Sequence, residues 1–159
     1  MKTLVIYYSL DGNSALIAEK IKTATGAQIC KIKTKDARKR TGIVKFFWAL
    51  GQMLKGKKVQ IVTEPVDINA FDLLILGTPV WGGSPASAML SFLDKIEIKG
   101  KKVALYCCHA GGMGKTFEIL KDLLKGNTIA GEIDFLKAAQ IESNTLKQRI
   151  EEWVNGINS

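Results

Sequence analysis

Three stretches of this chain, Thr3–Tyr8, Asp72–Gly77 and Val103–Cys108, are apolar or aromatic almost without interruption. A strand with one face in water alternates polar and apolar residues, so such runs are expected of strands covered on both faces, as in a parallel sheet. Parallel strands need long crossovers, and the intervening sequence has the pattern for them. Leu16, Ile17, Ile21 and Ala24 recur at helical spacing after the first run, Gly26 closes that helix, and Ala27–Lys33 reads as a second strand. Helical patterns at Ala86–Leu93 and Lys115–Leu124 follow the other two runs. Thr128–Ala138 can supply a fifth strand, and Glu142–Ile157 a closing helix that buries Ile150, Trp153 and Val154. Five strands alternating with helices predict an α/β doubly wound parallel sheet with helices on both faces, in one domain over residues 1–159. In such a sheet ligands sit beyond the carboxyl ends of the strands.

One segment interrupts the pattern. Residues 31–58 hold ten lysines and arginines against Asp36 alone, a net +9 in a chain whose total is +8, so the remainder carries −1. Within the excursion at 34–58, Ile43–Leu54 is rich in apolar residues flanked by basic ones. Charge of this density suits an acidic protein partner, an anionic membrane surface or nucleic acid, or is simply a solvated face. No base-reading motif accompanies it, so a specific nucleic acid is not expected. A continuous helix would spread the apolar residues around much of its circumference, so packing onto the domain is expected over membrane contact. The amino terminus lacks the apolar core of a signal peptide and no apolar run reaches the roughly 18 residues that span a bilayer; a cytoplasmic protein is expected. Cys30, Cys107 and Cys108 are too few for a disulfide framework and read as reduced thiols.

The loops after the three apolar runs carry the chemistry. The first, Ser9-Leu10-Asp11-Gly12-Asn13-Ser14, opens directly into a helix. Hydroxyls, a glycine that permits close backbone approach and the free N–H groups of a helix start make a phosphate cradle. The structural alternative is a plain helix cap by Asp11 or Asn13. The second, Gly77-Thr78-Pro79-Val80-Trp81-Gly82-Gly83-Ser84-Pro85, presents on a turn an aromatic suited to stacking on a flat heterocycle, or else a core or partner-contact tryptophan. The third contains Cys108-His109-Ala110-Gly111-Gly112 and ends in Gly-Met-Gly-Lys-Thr. A Walker A motif would need glycine where His109 stands, so its expected use is to offer backbone N–H groups to a ligand's carbonyl edge. His109 is the only histidine, and no standard metal-ligand spacing joins it to the cysteines beside it, so no metal is expected.

Together the three loops resemble those of the flavodoxin family. Ser9–Ser14 is similar to its phosphate signature Thr/Ser-x-Thr-Gly-Asn-Thr, with Asp11 where the signature has threonine; Thr78–Gly83 is similar to its second flavin loop, and Cys108–Gly112 falls where its third lies. The resemblance implies a strand order of 2-1-3-4-5 and one bound flavin mononucleotide (FMN). Its phosphate would rest on Ser9, Gly12, Asn13 and Ser14, and its ring would lie between Trp81 and the third loop. The cofactor-binding set so implied is Ser9, Leu10, Asp11, Gly12, Asn13 and Ser14; Thr78, Pro79, Val80, Trp81, Gly82 and Gly83; and Cys108, His109, Ala110, Gly111 and Gly112. It also implies an electron carrier, for which the sequence shows no evident general acid or base beyond His109, working with a redox partner protein that the 31–58 segment would make acidic. The Gly77-Thr78-Pro79 start of the second loop also resembles an NAD(P)H-dependent FMN quinone or metal-ion reductase branch on the same fold. A module that uses the basic segment on an anionic surface or nucleic acid is a third reading.

Overall fold

The computed structural model describes residues 1–35 and 59–158. The first apolar run forms β1 (Thr3–Tyr8), buried along its whole length. β2 (Gln28–Thr34) lies parallel to it on one side and β4 (Leu73–Trp81) on the other. β6 (Lys102–His109) adds parallel to β4, and β7 (Thr128–Leu136) adds parallel to β6 with an irregularity at Val103/Ala104. The parallel strands thus run β2-β1-β4-β6-β7 across the sheet. Counted as parallel strands, this is 2-1-3-4-5.

The expected five-stranded sheet has seven strands among the described residues. β3 (Ile61–Val62) pairs antiparallel to β2 at one edge, and β5 (Ser84–Pro85) folds back antiparallel on the end of β4. Both are two residues long, too short to show any periodicity.

The helices cover both faces, with the connections dictating the side. α1 (Asn13–Thr25) and α4 (Ser143–Asn158) lie on one face, where Ile17, Ala18, Ile21, Leu146, Ile150 and Val154 bury against Val5, Tyr7, Ile75, Ala104 and Tyr106. α2 (Ser87–Lys95) and α3 (Thr116–Leu123) lie on the other, where Met89, Phe92, Phe117 and Leu120 meet Leu4, Ile6, Leu74, Leu76 and Leu105. Each such aliphatic side chain contributes roughly 1.5–3 kcal/mol on burial. Gly26 ends α1 in the left-handed region (φ 70°) and its N–H bonds the Lys22 carbonyl at 2.8 Å, a cap that a side chain with Cβ would strain. The Ile43–Leu54 stretch and most of the basic segment, residues 36–58, lie outside the described residues. No helix among the described residues is long and apolar enough to cross a membrane.

Candidate functional site

The chain leaves β1 toward β2 and returns through β4 on the opposite side, so the strand order reverses between β1 and β4. The crevice beyond the carboxyl ends at such a reversal is where open α/β sheets take ligands. β1, β4 and β6 are neighbours in the sheet, which brings the three predicted loops together at that edge.

The first loop holds itself open. The Gly12 N–H donates to Ser9 Oγ at 3.1 Å, and Asp11 folds onto Asn13, accepting from its backbone N at 3.1 Å and its Nδ2 at 2.8 Å. Asn13 Oδ1 accepts in turn from the Ala139 N–H at 2.9 Å, tying this loop to the one after β7. The Asp11 carboxylate and the Asn13 amide are therefore engaged with each other and with the chain. Neither residue is the helix cap: that position falls to Gly12, at φ 96° and with no side-chain cap bond, and a Cβ built there would meet nothing within 4 Å. The first-turn N–H groups of Ser14 and Ala15 precede any intrahelical acceptor. Ser14 itself is buried; its Oγ neighbours the Cys108 thiol, whose upward pKa shift it opposes, but makes no hydrogen bond of good geometry among the described residues. A buried hydroxyl without a partner costs about 1–3 kcal/mol, so this one is poised for an external acceptor. Leu10 packs at the margin of the core beneath Trp81's side of the sheet.

The second loop is shorter than its sequence indicates. Thr78, Pro79, Val80 and Trp81 continue β4, and the turn consists of Gly82 and Gly83 alone, at φ 56° and 78°, before β5 begins. Two positive φ values in a two-residue hairpin loop make a type I′ turn, which glycine forms without strain. The strand continues because Val80 and Trp81 find antiparallel partners in Pro85 and Ser84. Thr78 is fully buried and its hydroxyl is structural: it accepts from the Ala86 N–H at 3.0 Å, at the start of α2, and donates to the Pro79 carbonyl. Trp81 is half-buried and meets Tyr8 edge-to-face, 5.7 Å between ring centroids, which fixes its indole at the sheet edge.

In the third loop, Ala110, Gly111 and Gly112 are exposed, as are Met113, Gly114 and Lys115 beyond them. His109 ends β6 with its side chain 8% exposed, and its Nε2 lies 2.8 Å from Asp134 Oδ2 on β7. Cys107 and Cys108 alternate between the two faces. Burial pushes the Cys107 thiol far up and the Cys108 thiol to about 12, so both stay protonated. The Gly-Met-Gly-Lys-Thr segment has a structural use. The Lys115 N–H donates to the Gly83 carbonyl at 2.7 Å, and Gly114 (φ 55°) lies so close that a Cβ on it would stand 2.3 Å from Gly83 Cα. This clasp joins the second and third loops into one rim.

Sequence reasoning missed five participants: Gly114 and Lys115 in the clasp, Asp134 beside His109, and Tyr106 with Gly77. Gly77 did carry a signal, because an isolated glycine inside an apolar strand marks a close approach by something else. Among the described residues no three His, Cys, Asp or Glu side chains gather as a metal-ligand set.

Known proteins resemble this chain in sequence and fold. Over 145 residues the chain is 30% identical to an NAD(P)H dehydrogenase (quinone) of Gluconacetobacter diazotrophicus, a match that covers 82% of this chain and 70% of that protein. A protein of the same name from Cupriavidus metallidurans is 28% identical with the same coverage. The crystal structure of a flavoprotein in complex with FMN from Lactobacillus acidophilus NCFM superimposes with a TM-score of 0.74 at 25% identity, covering 96% of this chain and 98% of that one. A family model described as flavodoxin matches residues 2–157, nearly the whole sequence, and the chain belongs to the flavodoxin family.

Proposed function

We propose that this chain is an FMN-dependent electron-transfer protein that exchanges electrons with a redox partner. The observation that carries the reading is Ser14: a buried hydroxyl with no hydrogen-bond partner among the described residues, at a helix start whose N-cap, Gly12, offers no side chain, in the crevice where the strand order reverses. A terminal phosphate supplies what that position lacks, an acceptor for the hydroxyl and for the first-turn N–H groups, and the helix dipole favours its charge. The Ser9 side chain and Gly12 shape the loop around it, while Asp11 and Asn13 hold its form. Trp81 flanks the ring on one side, with Gly82 and Gly83 along its edge, and Ala110–Gly112 offer backbone N–H groups on the other. Thr78, Pro79, Val80, Cys108 and His109 support these loops from the strand ends. Bound FMN supplies the redox chemistry; the chain binds it, orients it and shields one face.

The absorbance spectrum of the purified protein and calorimetry with FMN, riboflavin and FAD test the reading. FMN is expected to bind tightest. Riboflavin binding equal to FMN would refute a phosphate cradle.

A second reading, NAD(P)H-linked quinone reduction on the same FMN, is favoured by the two relatives of that name. Bleaching of the blue flavin band by NADPH alone, with quinone turnover, selects it; bleaching only by a reduced protein donor selects the carrier.

An acidic partner facing residues 31–58 fits the +9 charge of that segment. Lys31, Lys33 and Lys35 are exposed, and of the three only Lys33 has an ion pair among the described residues, with Glu64 at 3.9 Å. Reversing Lys31 and Lys35 to Glu is expected to slow transfer to an acidic partner most strongly at low salt, and a salt-independent rate would refute steering. Three free, buried thiols accord with work in the reducing cytoplasm.

A further inference from the structure

Tyr106 lies within β6, fully buried on the face that α1 and α4 cover. Its ring occupies the space over Gly77, its register partner on β4: a Cβ on Gly77 would fall 1.9 Å from the ring Cζ and 2.2 Å from the phenol oxygen. The glycine exists at that point because the tyrosine needs the room. The hydroxyl then crosses 92 positions in sequence to donate a 2.9 Å hydrogen bond to the Ser14 carbonyl, in the first turn of α1. Burial raises the phenol well above its ordinary value of 10, so it is a protonated donor at neutral pH. A phenylalanine would fill the same volume. The hydroxyl adds desolvation cost and one tether, and that tether ends on the residue whose own hydroxyl has no hydrogen-bond partner among the described residues.

We infer that Tyr106 is a positioning residue for cofactor selection: through the Ser14 carbonyl it holds the first turn of α1 where Ser14 meets a phosphate, and so sets the preference for FMN over riboflavin. The inference rests on the FMN reading. The two ligands share the ring and differ at the phosphate, so a residue that acts only on the first turn of α1 changes the affinity of one and not the other. A general core residue changes stability and moves both affinities together.

The test is Tyr106→Phe in the full chain, with dissociation constants for FMN and riboflavin measured by calorimetry at one salt concentration. FMN affinity is expected to fall roughly three- to tenfold, the range of one hydrogen bond, with riboflavin affinity unchanged. Amide hydrogen exchange in the flavin-free protein supplies a second readout: Leu16, which bonds the Gly12 carbonyl at 2.9 Å, is expected to exchange faster in the variant. Equal loss for both flavins, or an unchanged ratio with unchanged exchange at Leu16, would overturn the inference. Failure of the cofactor reading looks different, since it appears in the wild-type chain as riboflavin binding as tightly as FMN.

Discussion

Replacing Gly114 with alanine measures the clasp between the second and third loops. Gly114 sits at φ 55°, where a Cβ costs about 1 kcal/mol. The new methyl would also stand 2.3 Å from Gly83 Cα and 2.5 Å from its carbonyl oxygen, both backbone atoms that no rotamer change can move. Relief requires the loops to part by about 1 Å, an overpacking cost of about 1 kcal/mol or more. That movement breaks the 2.7 Å bond from the Lys115 N–H to the Gly83 carbonyl, worth about another 1 kcal/mol. The expected total is about 3 kcal/mol. Gly126→Ala is the matched control: Gly126 is also left-handed, at φ 91°, but a Cβ there meets nothing within 4 Å, so only about 1 kcal/mol is expected. Urea unfolding of the flavin-free proteins, analysed by linear extrapolation, reads both values. If the two variants lose the same stability, the clasp contributes nothing and the loops are independent.

Three further outcomes follow from the same geometry. Ser14→Ala should weaken FMN by about 1–3 kcal/mol in calorimetry while leaving the flavin-free unfolding midpoint unchanged or slightly higher, because the lost hydroxyl has no hydrogen-bond partner among the described residues; a lower midpoint would mean that it has one. Thr78→Val keeps the volume but leaves the buried Ala86 N–H without its acceptor, so thermal unfolding should report a loss of about 1–3 kcal/mol, and a loss under about 0.5 kcal/mol would contradict the bond. The Cys108 thiol, at about 12 in the fold against an ordinary 9, favours the folded state fully below pH 9; as pH rises from 9 to 12 the unfolded thiol ionises first and that stabilisation is lost. Urea midpoints should therefore fall over this window, less steeply in Cys108→Ala, and identical slopes would show that the thiol is not shielded.

The fold class was legible because its signals are local. Thr3–Tyr8 and Val103–Cys108 are apolar on both faces whatever lies beside them, and that alone calls for a covered parallel sheet with helical crossovers. The start of α1 was legible for the same reason, since polar residues and a glycine in succession before a helical pattern mark it within six residues. What the tertiary structure decided depends on partners far away in the chain. Trp81 belongs to a strand and not a turn because Ser84 and Pro85 fold back to pair with β4, a contact with no periodicity to announce it. His109 is held because Asp134, which stands opposite Cys107 on β7, reaches its ring, and Asn13 is engaged because Ala139 reaches it from the last loop. Gly77 and Tyr106 explain each other only once β4 and β6 lie in register, and Gly114 explains itself only against Gly83. Periodicity reports which face of an element is covered; which side chain meets which across the sheet is set by strand order and register, and these depend on the packing of the whole chain.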